Sequence, residues 1–320
     1  MVTIRDIAKM SGHSISTVSR VMNHSGYVSK AVRAKVEQVI AEANYVPNDI
    51  ARDLSIGQTH NIGVVIPHAD HPYFTQLIHG ILTAAVPSHF RVTILPSAYS
   101  EELEHRYLEQ LRRGLFDGLI FTSHGVPLTT LVNYLQYGPI VVCEDPGSLP
   151  LPAVFSNRET GYHEAFSWLK KQNATNIAFM FSRPAPESAT STATLTAFNK
   201  VFTTMPSSNW ILDNITTFRD GYAGAEKMHN QKMQVKYIFT NGDDVAAGAR
   251  QFYLNHHLPV PTLIGQEDQL SGYLLGLPTI NHHFNEIGQR AFTLITNKPN
   301  PGTVISVPSE FILPADRIYA

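Results

Sequence analysis

Among 320 residues there is one cysteine, there are two tryptophans, and neither sign of charge dominates, with 24 Lys and Arg against 26 Asp and Glu. A single cysteine cannot close an intramolecular disulfide, so the chain is expected to rely on its core and to suit a reducing compartment. Cys143 lies in the apolar run PIVVCE, where a buried, inert thiol is expected rather than a nucleophile. A net charge of −2 argues against a protein that coats nucleic acid by bulk electrostatics. No apolar run approaches the length of a membrane span, and MVTIRDIAKM lacks the apolar stretch of a signal peptide. A soluble, cytoplasmic chain is expected, with no membrane partner. Missing too are a G-x-S-x-G elbow, a Walker-type loop and a G-x-G-x-x-G fingerprint. Fifteen histidines include the close pairs His68 and His71, His256 and His257, and His282 and His283. None has the convergent Cys or carboxylate spacing of a zinc site. The expectation is therefore no enzyme, no metal and no cofactor.

What is present is apolar content of 43%, enough for one large core or two medium ones. Charge is unevenly spread: residues 1–60 carry 7 basic against 5 acidic side chains, and the remainder 17 against 21. Thr3 with Asp6 resembles a capping box opening a helix that places Ile4, Ile7 and Ala8 on one face. Gly12 ends it. Ser14 caps a second helix, ISTVSRVMN, whose inward side carries Val18, Val21 and Met22. Ser29 caps a third, KAVRAKVEQVIAEANY, with Val32, Val36, Val39, Ile40 and Ala43 at helical spacing. Pro47-Asn48 breaks that pattern, and Asn48 can cap the short segment DIARDLSIG.

From residue 61 the texture changes to apolar strands alternating with amphipathic helices: NIGVVIP, RVTILP, DGLIFTS, PIVVCE and AVFSN, then NIAFMF, VKYIFT and TLIG. Such alternation means parallel sheets covered on both faces. The series restarts near residue 157, which implies two similar doubly wound lobes.

A capped helix, a glycine turn and a second capped helix form a helix-turn-helix, whose second helix enters the major groove. With Val18, Val21 and Met22 inward, Ile15, Ser16 and Arg20 face out. The planar fork of Arg20 suits guanine O6 and N7, while Thr17, Ser19 and Asn23 suit phosphate oxygens. A three-helix domain with a Ser/Thr-rich surface would show the same spacing.

The wording goes further than the spacing. TIRDIAKMSGHSISTVSRVMN and GYVSKAVRAKVEQVIAEANYVPNDIARDLSIGQTHNIGVVIP resemble the LacI/GalR family of bacterial repressors, as do DGLIF, NRETGY, NGDD with AAGA, and LPTINHHFNEIGQRA in the same order. The resemblance implies an all-α headpiece over 1–47, a hinge helix and linker over 48–60, and an effector-binding and dimerisation core over 61–320. That core would resemble periplasmic sugar-binding proteins, with an N-lobe of about 61–156 and 284–306 and a C-lobe of about 157–281 and 307–320. Asn48 to Ile56 matches the family's hinge helix, with Leu54 as the minor-groove wedge and Ala51 against the partner's hinge.

By the same resemblance, effector contacts fall on Tyr73, Phe74, Glu144, Phe218, Asp243 and Glu267, although Tyr73 and Phe74 also suit a core and the carboxylates a solvated loop. Two departures stand out. Thr192 occupies the place of an effector-forking arginine, leaving Arg183 as the nearby cation, and His282-His283 replaces the family's common Gln-Pro. The pocket then takes a different ligand, uses Arg183, or takes none. The balance of carboxylates and aromatics favours a neutral sugar. The function implied is a repressor of carbohydrate-utilisation genes that binds a palindromic operator in double-stranded DNA as a homodimer, at the bacterial nucleoid. The chain shows no leucine-heptad tail after SEFILPAD, so a dimer is expected over a tetramer. Alternatives are control by a phosphocarrier protein or by a non-sugar ligand such as a purine.

Overall fold

The first helix starts at a reciprocal cap. In the computed structural model, which describes residues 2–46, 57–69 and 71–316, the Asp6 backbone N–H donates to Thr3 Oγ1 at 3.4 Å and the Thr3 N–H donates to Asp6 Oδ2 at 2.9 Å. This opens α1 (Ile4–Ser11), and Gly12 closes it at φ 73°. Ser14 and Ser29 cap α2 (Ile15–Met22) and α3 (Lys30–Glu42) in turn. The third helix is shorter than the apolar periodicity suggests, because Asn44 takes a left-handed φ of 45°. Ile7 and Ala8, Val18 and Val21, and Val36 and Val39 close a small core from one pair per helix. These helices belong to one compact unit, Met1–His60, and the rest of the chain forms a second, Asn61–Ala320.

The second unit is built on two parallel sheets. The first takes β1 (Asn61–Ile66), β2 (Arg91–Pro96), β3 (Gly118–Phe121), β4 (Ile140–Val142), β5 (Ala153–Asn157) and β11 (Val304–Pro308), in the order β11-β5-β4-β3-β1-β2. Along β1 the side chains alternate: Ile62, Val64 and Ile66 face one core and Val65 the other, which is why the strand reads as an unbroken apolar run. The first core is covered by α4 (Pro72–Ala85) and α12 (Phe284–Thr296), the other by α5 (Glu101–Arg112) and α6 (Leu128–Tyr134). The second sheet has the order β7-β6-β8-β9, from β6 (Ile177–Met180), β7 (Ile211–Leu212), β8 (Tyr237–Thr240) and β9 (Thr262–Ile264). It lies between α7 (Glu159–Lys171) with α8 (Ala189–Phe202) and α9 (Phe218–Asn230) with α10 (Asp243–Asn255). A short antiparallel pair, β10 (Thr279–Asn281) with β12 (Glu310–Ile312), completes this lobe, and α11 (Leu270–Leu274) precedes it.

The chain passes between lobes after β5, after β10 and after β11. Each lobe also contains one helix pair packed through reciprocal glycines. A Cβ on Gly80 would lie 1.9 Å from the Asn285 carbonyl oxygen and one on Gly288 2.2 Å from that of Leu77, locking α4 to α12. In the C-lobe, Gly221 against Val245 O at 2.1 Å and Gly248 against Phe218 O at 1.9 Å do the same for α9 and α10.

Candidate functional site

In the first unit, the buried Val18 and Val21 fix the outward face of α2. Ile15, 46% exposed, and Ser16, Arg20 and Asn23 are on the surface, and Thr17 and Ser19 are half-buried. The short polar groups are already ordered. Ser14 Oγ lies 2.8 Å from Ser16 Oγ and 2.9 Å from Thr17 Oγ1, and Asn23 Nδ2 donates to Ser19 Oγ at 3.2 Å. The stem of Arg20 runs over Gly26, whose absent Cβ would sit 3.5 Å from Arg20 Cδ, and the guanidinium forms no ion pair among the described residues. Tyr27, 92% exposed, is a surface aromatic on this unit that sequence reasoning passed over; its only signal was an aromatic in a polar loop. Asn48, Ala51 and Leu54 lie outside the described residues.

In the second unit, the carboxyl ends of the two sheets face a cleft of about 730 Å³. Of the residues expected there, Tyr73, Phe74, Glu144, Arg183 and Glu267 line it; Thr192, Phe218 and Asp243 do not. The helix face explains Thr192. On α8 the cleft is lined by Ala189, Thr190, Ala193, Thr196, Ala197 and Lys200, a helical stripe that leaves Thr192 one residue's rotation aside. Its hydroxyl instead donates to Ala185 O at 2.6 Å. Phe218 opens α9, is 45% exposed and sets its carbonyl against Gly248. Asp243 is fully buried, accepting from Thr279 Oγ1 at 2.7 Å and from the Gln269 N–H at 2.7 Å, and so ties α10 to the loop after β9.

Tyr73 donates to Thr122 O at 2.9 Å and packs edge-on against Phe284, centroids 4.6 Å apart, so its hydroxyl serves the N-lobe itself. Glu144 Oε1 lies 2.8 Å from His124 Nε2. Burial works to lower the His124 pKa, but the Glu144 hydrogen bond and charge outweigh it and hold the imidazole above its ordinary value. Glu267 is buried, and its carboxyl is pushed up to about 8 by burial and then by the Asp243 charge, with Arg158 pulling the other way. Its Oε2 accepts from Gln269 Nε2 at 2.6 Å, and its carbonyl accepts from Gln76 Nε2 of the N-lobe at 2.9 Å.

Several cleft groups were missed. Arg158 follows β5 directly, and the rule that ligands gather at strand carboxyl ends would have found it. Its Nη1 lies 3.1 Å from Nε2 of the fully buried His282, and its guanidinium sits 5.5 Å from the Phe284 ring centre. His282 is held neutral, first by burial and then by the Arg158 charge. Gln266 Oε1 accepts from Tyr162 Oη at 3.1 Å and lies 3.0 Å from the same His282 Nε2. Asn241, at the end of β8, donates to Ile215 O at 3.0 Å while its buried Oδ1 has no hydrogen-bond partner among the described residues. Across the cleft mouth, the Arg183 guanidinium lies 6.0 Å from the Tyr99 ring centre. Among the described residues, no cluster of three His, Cys, Asp or Glu side chains converges as metal ligands do, and no helix is long and apolar enough to cross a membrane.

Residues 3–48 match the family described as bacterial regulatory proteins, lacI family, and residues 59–312 the one described as periplasmic binding proteins and sugar binding domain of LacI family. Catabolite control protein B of Bacillus subtilis (strain 168) is 37% identical over 294 residues, spanning 92% of this chain and 94% of its own. The ribose operon repressor of Escherichia coli (strain K12) is 26% identical over 308 residues, spanning 93% of each chain. Among solved structures, the lac repressor dimer bound to operator and the anti-inducer ONPF has a TM-score of 0.80 at 22% identity, covering 97% of both chains. A LacI family transcriptional regulator from Lactobacillus casei with bound glucose has a TM-score of 0.67 at 19% identity, over 79% of this chain and 97% of that one. At these identities the structural likeness speaks for the fold.

Proposed function

This chain belongs to the LacI family of bacterial regulatory proteins, and we propose that it is a cytoplasmic transcriptional repressor, without enzymatic activity, whose hold on a palindromic operator is set by a carbohydrate bound between its lobes. The observation that carries this reading is the presence in one chain of an ordered helix-turn-helix with Arg20 outward and a cleft of about 730 Å³ lined by strand-end polar groups. The unpartnered Asn241 Oδ1 suits a hydroxyl donor, and the rings of Phe74 and Tyr99 offer apolar walls to a sugar's C–H face. Relatives point the same way: one is named a ribose operon repressor, and one fold neighbour holds glucose.

A repressor of this kind acts as a two-fold dimer, so two copies of α2 meet successive major grooves. Selection from random DNA by the full chain is expected to return a palindrome with half-sites about one helical turn apart. Arg20→Ala is expected to lose roughly 1–3 kcal/mol and to relax preference at one base pair per half-site, whereas Asn23→Ala weakens all sequences alike. A non-palindromic motif, or an equal and uniform loss in both variants, overturns the reading of the headpiece. Titrating the chosen operator in the presence of sugars, purines or a phosphocarrier protein then separates a carbohydrate effector from the alternatives.

A further inference from the structure

Charge in the cleft is divided unevenly between spent and unspent groups. Lys200 Nζ and Glu159 Oε1 pair at 2.6 Å. Glu144 pairs with His124 at 2.8 Å. Burial favours the neutral form of Glu267. Asp145, exposed at the margin, accepts from the Gly147 N–H of its own loop at 2.9 Å. Three of these four carboxylates are thus offset by their own surroundings, and the fourth, Asp145, lies at the exposed margin. The two guanidiniums are not offset: neither Arg158 nor Arg183 forms an ion pair among the described residues.

Arg158 is the more constrained of the two. A guanidinium carries five N–H donors and accepts nothing, and among the described residues its one polar partner is His282 Nε2. That nitrogen also faces Gln266 Oε1 at 3.0 Å, and it cannot accept from Arg158 and donate to Gln266 in the same tautomer. With the proton on Nδ1, Nε2 receives one Arg158 N–H and the remaining donors of the fork stay unspent. With the proton on Nε2, the bond to Gln266 forms and Arg158 has no acceptor. In both tautomers a half-buried cation, steadied on the Phe284 ring, presents N–H groups to the cleft. A partly desolvated guanidinium gains most from an oxyanion that takes two parallel hydrogen bonds.

We propose that Arg158, seated on His282 and Phe284 and assisted from the cleft mouth by Arg183, is an anion subsite, so that the effector is a carbohydrate bearing a carboxylate or a phosphate. The subsite rests on the carbohydrate reading given above and replaces the neutral sugar expected from the sequence with an anionic one. It moves the forking role from the helix position held by Thr192 to the end of β5. That place adjoins two of the passages between lobes, one after β5 and one after β10, where His282 and Phe284 sit.

Calorimetric titration of the full chain with glucose, gluconate, glucose 6-phosphate, ribose and ribose 5-phosphate tests this directly. An acidic sugar is expected to bind at least ~10-fold more tightly than its neutral parent, the scale of one charge-assisted hydrogen-bonded contact. The carboxylate and phosphate arms tell the two sources of the anion apart. Arg158→Gln is expected to erase that advantage and Arg183→Gln to reduce it. Melting curves of the free variants establish that they fold. Neutral sugars that bind as tightly as their acidic counterparts, or an acidic-sugar preference unchanged in both variants, overturn the subsite and leave the carbohydrate reading standing. If no sugar of either kind binds, whether or not a purine does, the carbohydrate reading fails and the subsite with it.

Discussion

Glu267 carries two costs at once, a backbone at φ 83° in the left-handed region and a carboxyl pushed up to about 8. The ordinary value is 4.5, so between these limits the folded chain binds a proton that the unfolded chain has released. The stability linked to that proton is complete below about 4.5 and is lost as pH rises through about 8. Glu267→Gln keeps an oxygen for the Gln269 Nε2 bond and has no proton to lose. Its melting temperature is expected to gain on that of the wild type between about pH 5 and about pH 8 and to hold that gain above it. Parallel melting curves across that range would mean that the carboxyl is ionised in the fold. At this scale the sequence was only partly informative. Tyr73, Phe74, Glu144 and Glu267, expected there from the resemblance, and Arg183, offered as the cation in place of the missing arginine, line the cleft. Thr192 and Asp243 do not, because a helical residue one position off the lining stripe faces elsewhere and because Thr279 and the Gln269 N–H claim the Asp243 carboxylate. Arg158 went unnoticed because its partners, His282 and Phe284, are more than a hundred residues away along the chain.

The elements were easier to read. Strands such as NIGVVI and GLIF are continuous apolar runs because both faces are covered, and the helix caps at Thr3, Ser14 and Ser29 are local signals that the structure uses. What escaped notice was short or paired at long range: β7 has two residues, and β10 joins β12 from thirty-odd residues away. Also hidden was the part played by glycine inside helices, where it lowers intrinsic propensity. Gly248 meets Phe218 O at 1.9 Å and Gly80 meets Asn285 O at 1.9 Å, and both neighbours are backbone that cannot swing aside. Gly248→Ala is therefore expected to force α9 and α10 apart and cost about 1–3 kcal/mol. Thermal unfolding should register this as a loss of about 2–4 °C per kcal/mol. An unchanged melting temperature would show that the helix pair slides to absorb a methyl group.

For the whole molecule, the apolar residues left on the surface of the second unit bear on assembly. Leu82, Val86 and Ile94 are exposed in the N-lobe, and Leu254, Leu270 and Leu274 in the C-lobe, the last two at 71%. Side chains of this kind on both lobes suit an isologous dimer contact. Leu270→Glu with Leu274→Glu is expected to shift the sedimentation of the chain from dimer to monomer. Operator affinity should then fall on the order of 100-fold or more, since two half-sites no longer bind as one. A double variant that still sediments as a dimer places the contact elsewhere. The three passages between lobes have a mechanical consequence of their own. Two stiff bodies joined by three neighbouring cords resist shear and stretch, and keep one soft coordinate, the angle between them. Each lobe is stiffened by its glycine-locked helices, so a molecule entering the cleft has little to deform except that angle. The core then works as a calliper: the width of the bound molecule is converted into degrees of opening, and the groups beside the pivot decide which molecules are measured.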